Sequence, residues 1–220
     1  MLIAICGPSG AGKTELSKSL NIHNGSKEVV SYTTRSPRVG EQNGVDYHFV
    51  SNETFNNMIQ SNEFCEYEEY SQSRFYGTAK NDIISAAKSK NIYTTVVTPN
   101  GMRAIEDTLR DFNIPKSNYI SVMVNASLGV RVKRYIDRIG SDNFNFDDMN
   151  EINARVNRDF GMFLNMEKHC DLVLDNSADY RYNTSVVINP MIEFANQVIK
   201  EMKLRQENEF FSYQEEEERY

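Results

Sequence analysis

The feature that most limits what this chain can fold into lies near its start. Gly7-Pro8-Ser9-Gly10-Ala11-Gly12-Lys13-Thr14 has the form G-x-x-x-x-G-K-[ST], directly behind the apolar run Leu2 to Cys6 and directly before a helical pattern. That order, strand then glycine-rich turn then helix, is what a phosphate cradle requires. The glycines let successive backbone N–H groups turn inward toward phosphate oxygens, and the helix that follows presents its positive end to the same anion. Lys13 is then placed for the β- and γ-phosphates of a nucleoside triphosphate, and the Thr14 hydroxyl for Mg2+. Gly7, Ser9, Gly10, Ala11, Gly12, Lys13 and Thr14 form the candidate triphosphate site.

The rest of the chain fits the same class. Strand-like runs recur at Val29 to Tyr32, Phe64 to Tyr70, Ile92 to Thr98, Tyr119 to Asn125 and Leu172 to Leu174. Between them, helical spacing appears at Thr14 to Leu20, Thr54 to Ile59, Asp82 to Ala87, Met102 to Phe112, Val130 to Ile139 and Asn150 to Met166. Strands alternating with helices predict an α/β layered fold with a mainly parallel sheet. Two stretches break the alternation. Residues 33–79, rich in Tyr, Arg and Gly, predict an inserted mixed or antiparallel subdomain, and the polar turn-forming segment 140–148 between two Arg-bearing helices is a candidate mobile lid.

Composition excludes several other classes. With 31 acidic against 24 basic side chains the net charge is −7, which argues against a general nucleic-acid binder and its basic footprint. Residues 201–220 hold seven acids and three bases, a composition for a solvated helix end or a disordered tail. The longest apolar run, Met1 to Cys6, is far short of the ~18 residues of a membrane span, so a cytoplasmic protein without membrane contact is expected. The 3 Cys are widely spaced and show no ligand pattern, which speaks against a disulfide framework or structural zinc.

The most informative stretch runs from Ser31 to Ser51, Ser-Tyr-Thr-Thr-Arg-Ser-Pro-Arg-Val-Gly-Glu-Gln-Asn-Gly-Val-Asp-Tyr-His-Phe-Val-Ser. Arg35 and Arg38 flank a stiffening Pro, so two guanidinium forks can converge on one monophosphate, with the Tyr47 hydroxyl as a further donor. Glu66 sits in the alternating run Phe64 to Tyr70, and Phe75-Tyr76-Gly77-Thr78 follows.

With these residues the chain resembles the guanylate kinase family. The likeness rests on the Gly-Pro-Ser-Gly opening of the cradle, Thr-Thr-Arg-x-Pro-Arg-x-Gly-Glu leading into Asp-Tyr-x-Phe-Val, the Glu before an aromatic, and Tyr-Gly-Thr, in order over about residues 1–176. The resemblance implies ATP-dependent phosphorylation of GMP or dGMP on a P-loop NTPase three-layer fold. Its parts would be a parallel core sheet (1–32, 80–126 and 168–200), an inserted mixed α/β monophosphate-binding subdomain (33–79) and a helical lid (127–167), within a domain of residues 1–200 before an acidic tail. By position, Arg35, Arg38, Tyr47 and Tyr76 would hold the acceptor phosphate, Glu66 would accept from guanine N1–H and N2–H, and Ser31 and Thr78 would contact the base. Arg134 and Arg138, four apart on one helix face, and Arg155 across the turn would neutralise charge on the transferring group. Asn176 would meet the adenine. ATP with Mg2+ is the implied donor, and small nucleotides rather than nucleic acid are the implied partners.

One part of the pattern differs. The family places two aspartates at the end of the strand before x-x-Gly, where this chain has Val96 and Thr98. Thr14 is left as the one nameable metal ligand. The departure keeps open a nucleoside monophosphate kinase of broader or different acceptor, another deoxynucleotide or a ribose bisphosphate. A non-catalytic binding module of the same fold is the rival from another class, and the presence of Lys13 and Thr14 counts against it.

Overall fold

A computed structural model describes residues 1–71, 74–177 and 190–217. The chain begins with β1 (Leu2–Cys6), α1 (Lys13–Asn24) and the two-residue β2 (Lys27–Glu28). It then builds β3 (Tyr32–Thr33), β4 (His48–Phe49), α2 (Asn52–Gln60), β5 (Phe64–Ser71) and β6 (Arg74–Ala79). After these come α3 (Lys80–Lys88), β7 (Tyr93–Val96), α4 (Pro99–Asp111), β8 (Tyr119–Asn125), α5 (Leu128–Ile139), α6 (Phe146–Met162), β9 (Leu172–Asp175) and α7 (Pro190–Glu217).

The core sheet is parallel, in the order β2-β7-β1-β8-β9. β1 is buried along its whole length, which is why it reads as an uninterrupted apolar run. Its alternate residues serve opposite faces: Leu2, Ala4 and Cys6 pack with Ile83 and Ala87 of α3 and with Met102, Ile105 and Leu109 of α4. Ile3 and Ile5 pack on the other face with Leu16 and Leu20 of α1 and with Met191, Ala195, Val198 and Met202 of α7. Helix, sheet and helix thus make three layers, and the strand ends carrying the glycine loop are left open at one edge.

The second sheet, β4-β3-β6-β5, is mixed: β3 runs parallel to β4 and antiparallel to β6, which pairs antiparallel with β5. It has its own small core of Phe55, Met58 and Phe64, with the Phe55 and Phe64 rings stacked at 4.4 Å.

Several boundaries differ from the sequence expectation. The strand expected over Val29 to Tyr32 is divided between sheets: Val29 N–H still donates to Thr94 O beside the core sheet, while Tyr32 pairs with His48 and Gly77 in the second. The polar stretch 140–148 is largely helical. Ser141–Asn143 forms a 3-10 turn, and Asn145 caps α6 by accepting from the N–H groups of Asp147 and Asp148 while Asp148 accepts from Asn145 N–H. That reciprocal box is why acids there start a helix. The acidic C-terminal stretch is helical through Glu217. No helix among the described residues is long and apolar enough to cross a membrane. Cys6 and Cys170, far apart in sequence, bring their free thiols within 3.9 Å.

Candidate active site

The glycine loop leaves the end of β1 and enters α1 at Lys13, with Gly7, Gly10 and Gly12 all at positive φ. At Gly7 the need for glycine is steric as well, since a Cβ there would stand 2.1 Å from Val124 O on the adjacent strand. The Lys13 ammonium folds back onto Gly7 O at 2.7 Å and Pro8 O at 3.1 Å. Burial lowers its pKa, and the nearby Asp159 carboxylate opposes that shift. Asn176 is buried and donates its amide to Ala11 O at 2.7 Å. Its side chain therefore braces the underside of the loop. The Thr14 side chain stands exposed at the first turn of α1.

The expected acceptor residues fall into two linked groups. In the first, Arg35 forms a two-pronged pair with Glu41, both N–O distances 2.7 Å, and lies 5.0 Å from the Tyr47 ring centroid. The Tyr47 and Tyr76 rings meet edge to face at 5.9 Å. Glu41 also accepts from Arg38 N–H at 2.7 Å, which fixes the turn between the two arginines. The Glu41 contact, with Tyr76 in support, raises the Arg35 pKa, and Arg35 with Arg38 holds Glu41 down at about 2. Arg38 itself is exposed at the rim. Glu41 was missed as a functional residue; its signal was an acid closing a turn that carries two arginines.

In the second group, β5 and β6 set Glu66 opposite Thr78. Thr78 Oγ1 donates to Glu66 Oε1 at 3.1 Å, and Ser31 Oγ lies 3.3 Å from Thr78 Oγ1. Ser31, Thr78 and Glu66 thus form one hydrogen-bonded chain. Burial raises the Glu66 pKa, and Thr78 counteracts it. Gly101 of α4 packs against this side chain, and a Cβ on it would come within 3.2 Å of Glu66 Cγ. Glu68 and Glu69 are exposed on the same strand.

The three expected lid arginines separate. Arg134 reaches the loop, donating to Gly10 O and Ala11 O at 3.2 Å each and to Asn176 O at 2.9 Å. Arg138 and Arg155 gather instead about Tyr135, at 5.0 and 5.4 Å from its ring, and Arg155 is paired with Glu151. Two unexpected residues complete the loop's surroundings. Arg131 Nε donates to Ser9 O at 2.8 Å, and buried Asp159 of α6 accepts from Ser9 N–H at 2.8 Å and from Arg131 at 2.5 Å.

At the end of β7, Val96 packs against the apolar layer under α1 and α7, and Thr98 caps α4 by accepting from Gly101 N–H at 3.1 Å. The described residues contain no group of three His, Cys, Asp or Glu fit to hold a metal ion. Among the described residues the donor expected for Mg2+ is the Thr14 hydroxyl alone. That suits an ion which keeps several waters and is held largely by substrate phosphates.

A three-layer parallel sheet with this loop defines a P-loop nucleotide-binding protein, and a second sheet carries a cluster of Arg, Tyr and half-buried Glu. The chain belongs to the guanylate kinase family: the family model described as guanylate kinase matches residues 1–178. Among curated relatives, a guanylate kinase from Maricaulis maris (strain MCS10) is 39% identical over 123 residues, 53% of this chain and 56% of the relative. One from Trichodesmium erythraeum (strain IMS101) is 41% identical over 121 residues, 53% of this chain and 64% of the relative. The chain thus spans between about half and two thirds of the length of these relatives. The crystal structure of guanylate kinase from Anaplasma phagocytophilum superposes with a TM-score of 0.58 at 18% identity, covering 94% of this chain and 86% of that one, a likeness of fold.

Proposed function

We propose that the protein transfers the γ-phosphoryl group of ATP to GMP or dGMP, giving ADP and GDP or dGDP. The observation that carries this reading is the Ser31–Thr78–Glu66 chain beside the Arg35–Tyr47–Tyr76 cluster, on the same molecule as a complete glycine loop with Lys13. The half-buried Glu66 carboxylate can accept from two adjacent N–H groups, as guanine offers at N1 and N2; adenine presents an acceptor at N1, which a carboxylate cannot satisfy. Arg35, Arg38, Tyr47 and Tyr76 supply the donors for the acceptor's phosphate. The loop N–H groups and Lys13 take the donor phosphates, and Thr14 one position on the Mg2+ that ATP brings.

The acceptor oxygen is already anionic, so no general base is needed. It attacks the γ-phosphorus in line as the bond to the ADP oxygen breaks, and rate comes from alignment and charge neutralisation. In this arrangement Arg134 is already on the loop, while Arg138 and Arg155 are held off it. Their assigned role therefore entails movement of α5 and α6 once both nucleotides are bound.

An ADP-release assay over all ribo- and deoxyribonucleoside monophosphates tests the reading. GMP and dGMP should dominate, Glu66→Gln should impair those two selectively, and Lys13→Ala should abolish turnover with every acceptor. Equal turnover of a pyrimidine nucleotide would remove the base assignment.

A further inference from the structure

Asp159 Oδ2 is held at once by Ser9 N–H at 2.8 Å and by Arg131 Nη2 at 2.5 Å, while Ser9 Oγ lies 3.4 Å from Oδ1. The carboxylate is 4% exposed and comes from a helix 150 residues further along the chain. Its donors are not those of an ordinary surface ion pair. Ser9 N–H belongs to the loop whose backbone is shaped to bind anions, and Arg131 is anchored to that loop through Nε and Ser9 O. Lys13, the loop's own cation, has Asp159 as the first of the opposing charges that keep it protonated.

We propose that Asp159 is an internal anion standing where an oxygen of the donor's terminal phosphate will sit, and that Arg131 passes from Asp159 to that phosphate when ATP binds. The inference rests on the loop being a triphosphate site, the reading given above. A carboxylate and a phosphate oxygen repel and cannot both take the Ser9 N–H and the same Arg131 Nη2–H, so entry of the second expels the first. Arg131 also shares a face of α5 with Arg134 and Arg138, at spacings of three and four residues. The carboxylate keeps that face docked and its arginine desolvated until the ligand arrives. Asp159 is thus a positioning residue, and Arg131 a fourth arginine for the transferring group.

Calorimetric titration of the full chain with inorganic tripolyphosphate and with MgATP tests this. Asp159→Asn, which leaves a neutral and weaker competitor, should bind tripolyphosphate about tenfold tighter, the worth of roughly one charge-assisted hydrogen bond. Arg131→Gln should lower kcat more than it raises the KM for ATP. In the wild type, hydrogen–deuterium exchange over residues 152–162 should rise on tripolyphosphate binding, a readout that stands even if Asp159→Asn fails to fold. Unchanged or weaker binding by a cooperatively melting Asp159→Asn variant, or protection of residues 152–162, would overturn the proposal and leave the triphosphate site intact. Failure of the wild type to bind either ligand would sink both.

Discussion

Glu41 decides where Arg35 points. Its two oxygens take both terminal nitrogens of the guanidinium, and one of them also accepts from Arg38 N–H, so the turn between the arginines and the fork itself are set by one carboxylate. A guanidinium carries five N–H donors, which leaves others for a phosphate once its orientation is fixed. Glu41→Gln keeps the size but turns an NH2 toward the fork. The KM for the monophosphate acceptor should rise about tenfold with a smaller change in kcat, the pattern of lost ground-state positioning; unaltered KM would show that Arg35 is held by its ring neighbours alone. The pH dependence has a definite sign. Because the folded-state pKa of Glu41, about 2, lies below its ordinary 4.5, the hold is fully present above 4.5 and is lost as pH falls through about 2. A carboxyl-carbon NMR titration of Glu41 with its midpoint near 4.5 would contradict this. At this scale the sequence exposed candidate ligands better than the residues that hold them. Arg35, Tyr47, Glu66 and Thr78 stand out because a motif orders them and each carries a group that chemistry needs. Arg131 and Asp159 do not, because their meaning arises from a contact across 28 residues of chain and onto a loop 150 residues away.

Among the elements, α4 shows how a departure from a family pattern can be absorbed locally. Thr98 stands where the family resemblance leads one to expect an acid, and it caps α4 by accepting from Gly101 N–H before Pro99 and the first turn. The same turn carries Gly101 against Glu66, so the cap also steadies that side chain. Thr98→Ala should cost about 1 kcal/mol and lower the melting temperature by roughly 2–4 °C. Thr98→Asp retains a capping oxygen, adds a favourable charge at the helix N-terminus and should melt no lower than the wild type; a loss equal to that of the alanine variant would show that the cap bond contributes nothing. Elements were legible where one period dominated. β1 is a continuous apolar run and β8 is apolar apart from Ser121 and its last residue, because both faces are covered, and both were placed to the residue. The run Val29 to Tyr32 misled because apolar residues there serve two sheets in turn, a tertiary fact with no local signature. The start of α6 was hidden differently: Asn145 to Asp148 is polar enough to look like a loop, although an acid three residues after a capping Asn is a helix-start signal.

For the molecule as a whole, the family match and the fold end at different places. The match stops at residue 178, yet the layer that covers one face of the core sheet is finished by α7, beyond it. Met191, Val198 and Met202 are each no more than 5% exposed and pack with Ala195 against β8, β9 and α1. Three such side chains contribute about 1.5–3 kcal/mol each, a sum comparable with the roughly 5–15 kcal/mol that separates a folded domain from its unfolded chain. Arg205 adds an ion pair at 3.1 Å to Asp171, whose other oxygen accepts from Ser121 N–H and Oγ of β8, so the helix is tied to the sheet as well as packed on it. The same helix reaches the glycine loop through Met191, whose Cε would stand 3.8 Å from a Cβ on Gly12, beside the Asn176 amide that rests on Ala11 O. A chain cut to residues 1–178 should therefore fail to melt cooperatively and should lose ATP binding, although every motif named in the sequence is still present. One cut to residues 1–208 keeps every buried contact of the described side chains and should melt within a few degrees of the full chain. Circular dichroism melts of the two truncations check this. Cooperative folding of the shorter one would mean that the sheet and the remaining layers suffice, and that α7 covers the core without being required by it.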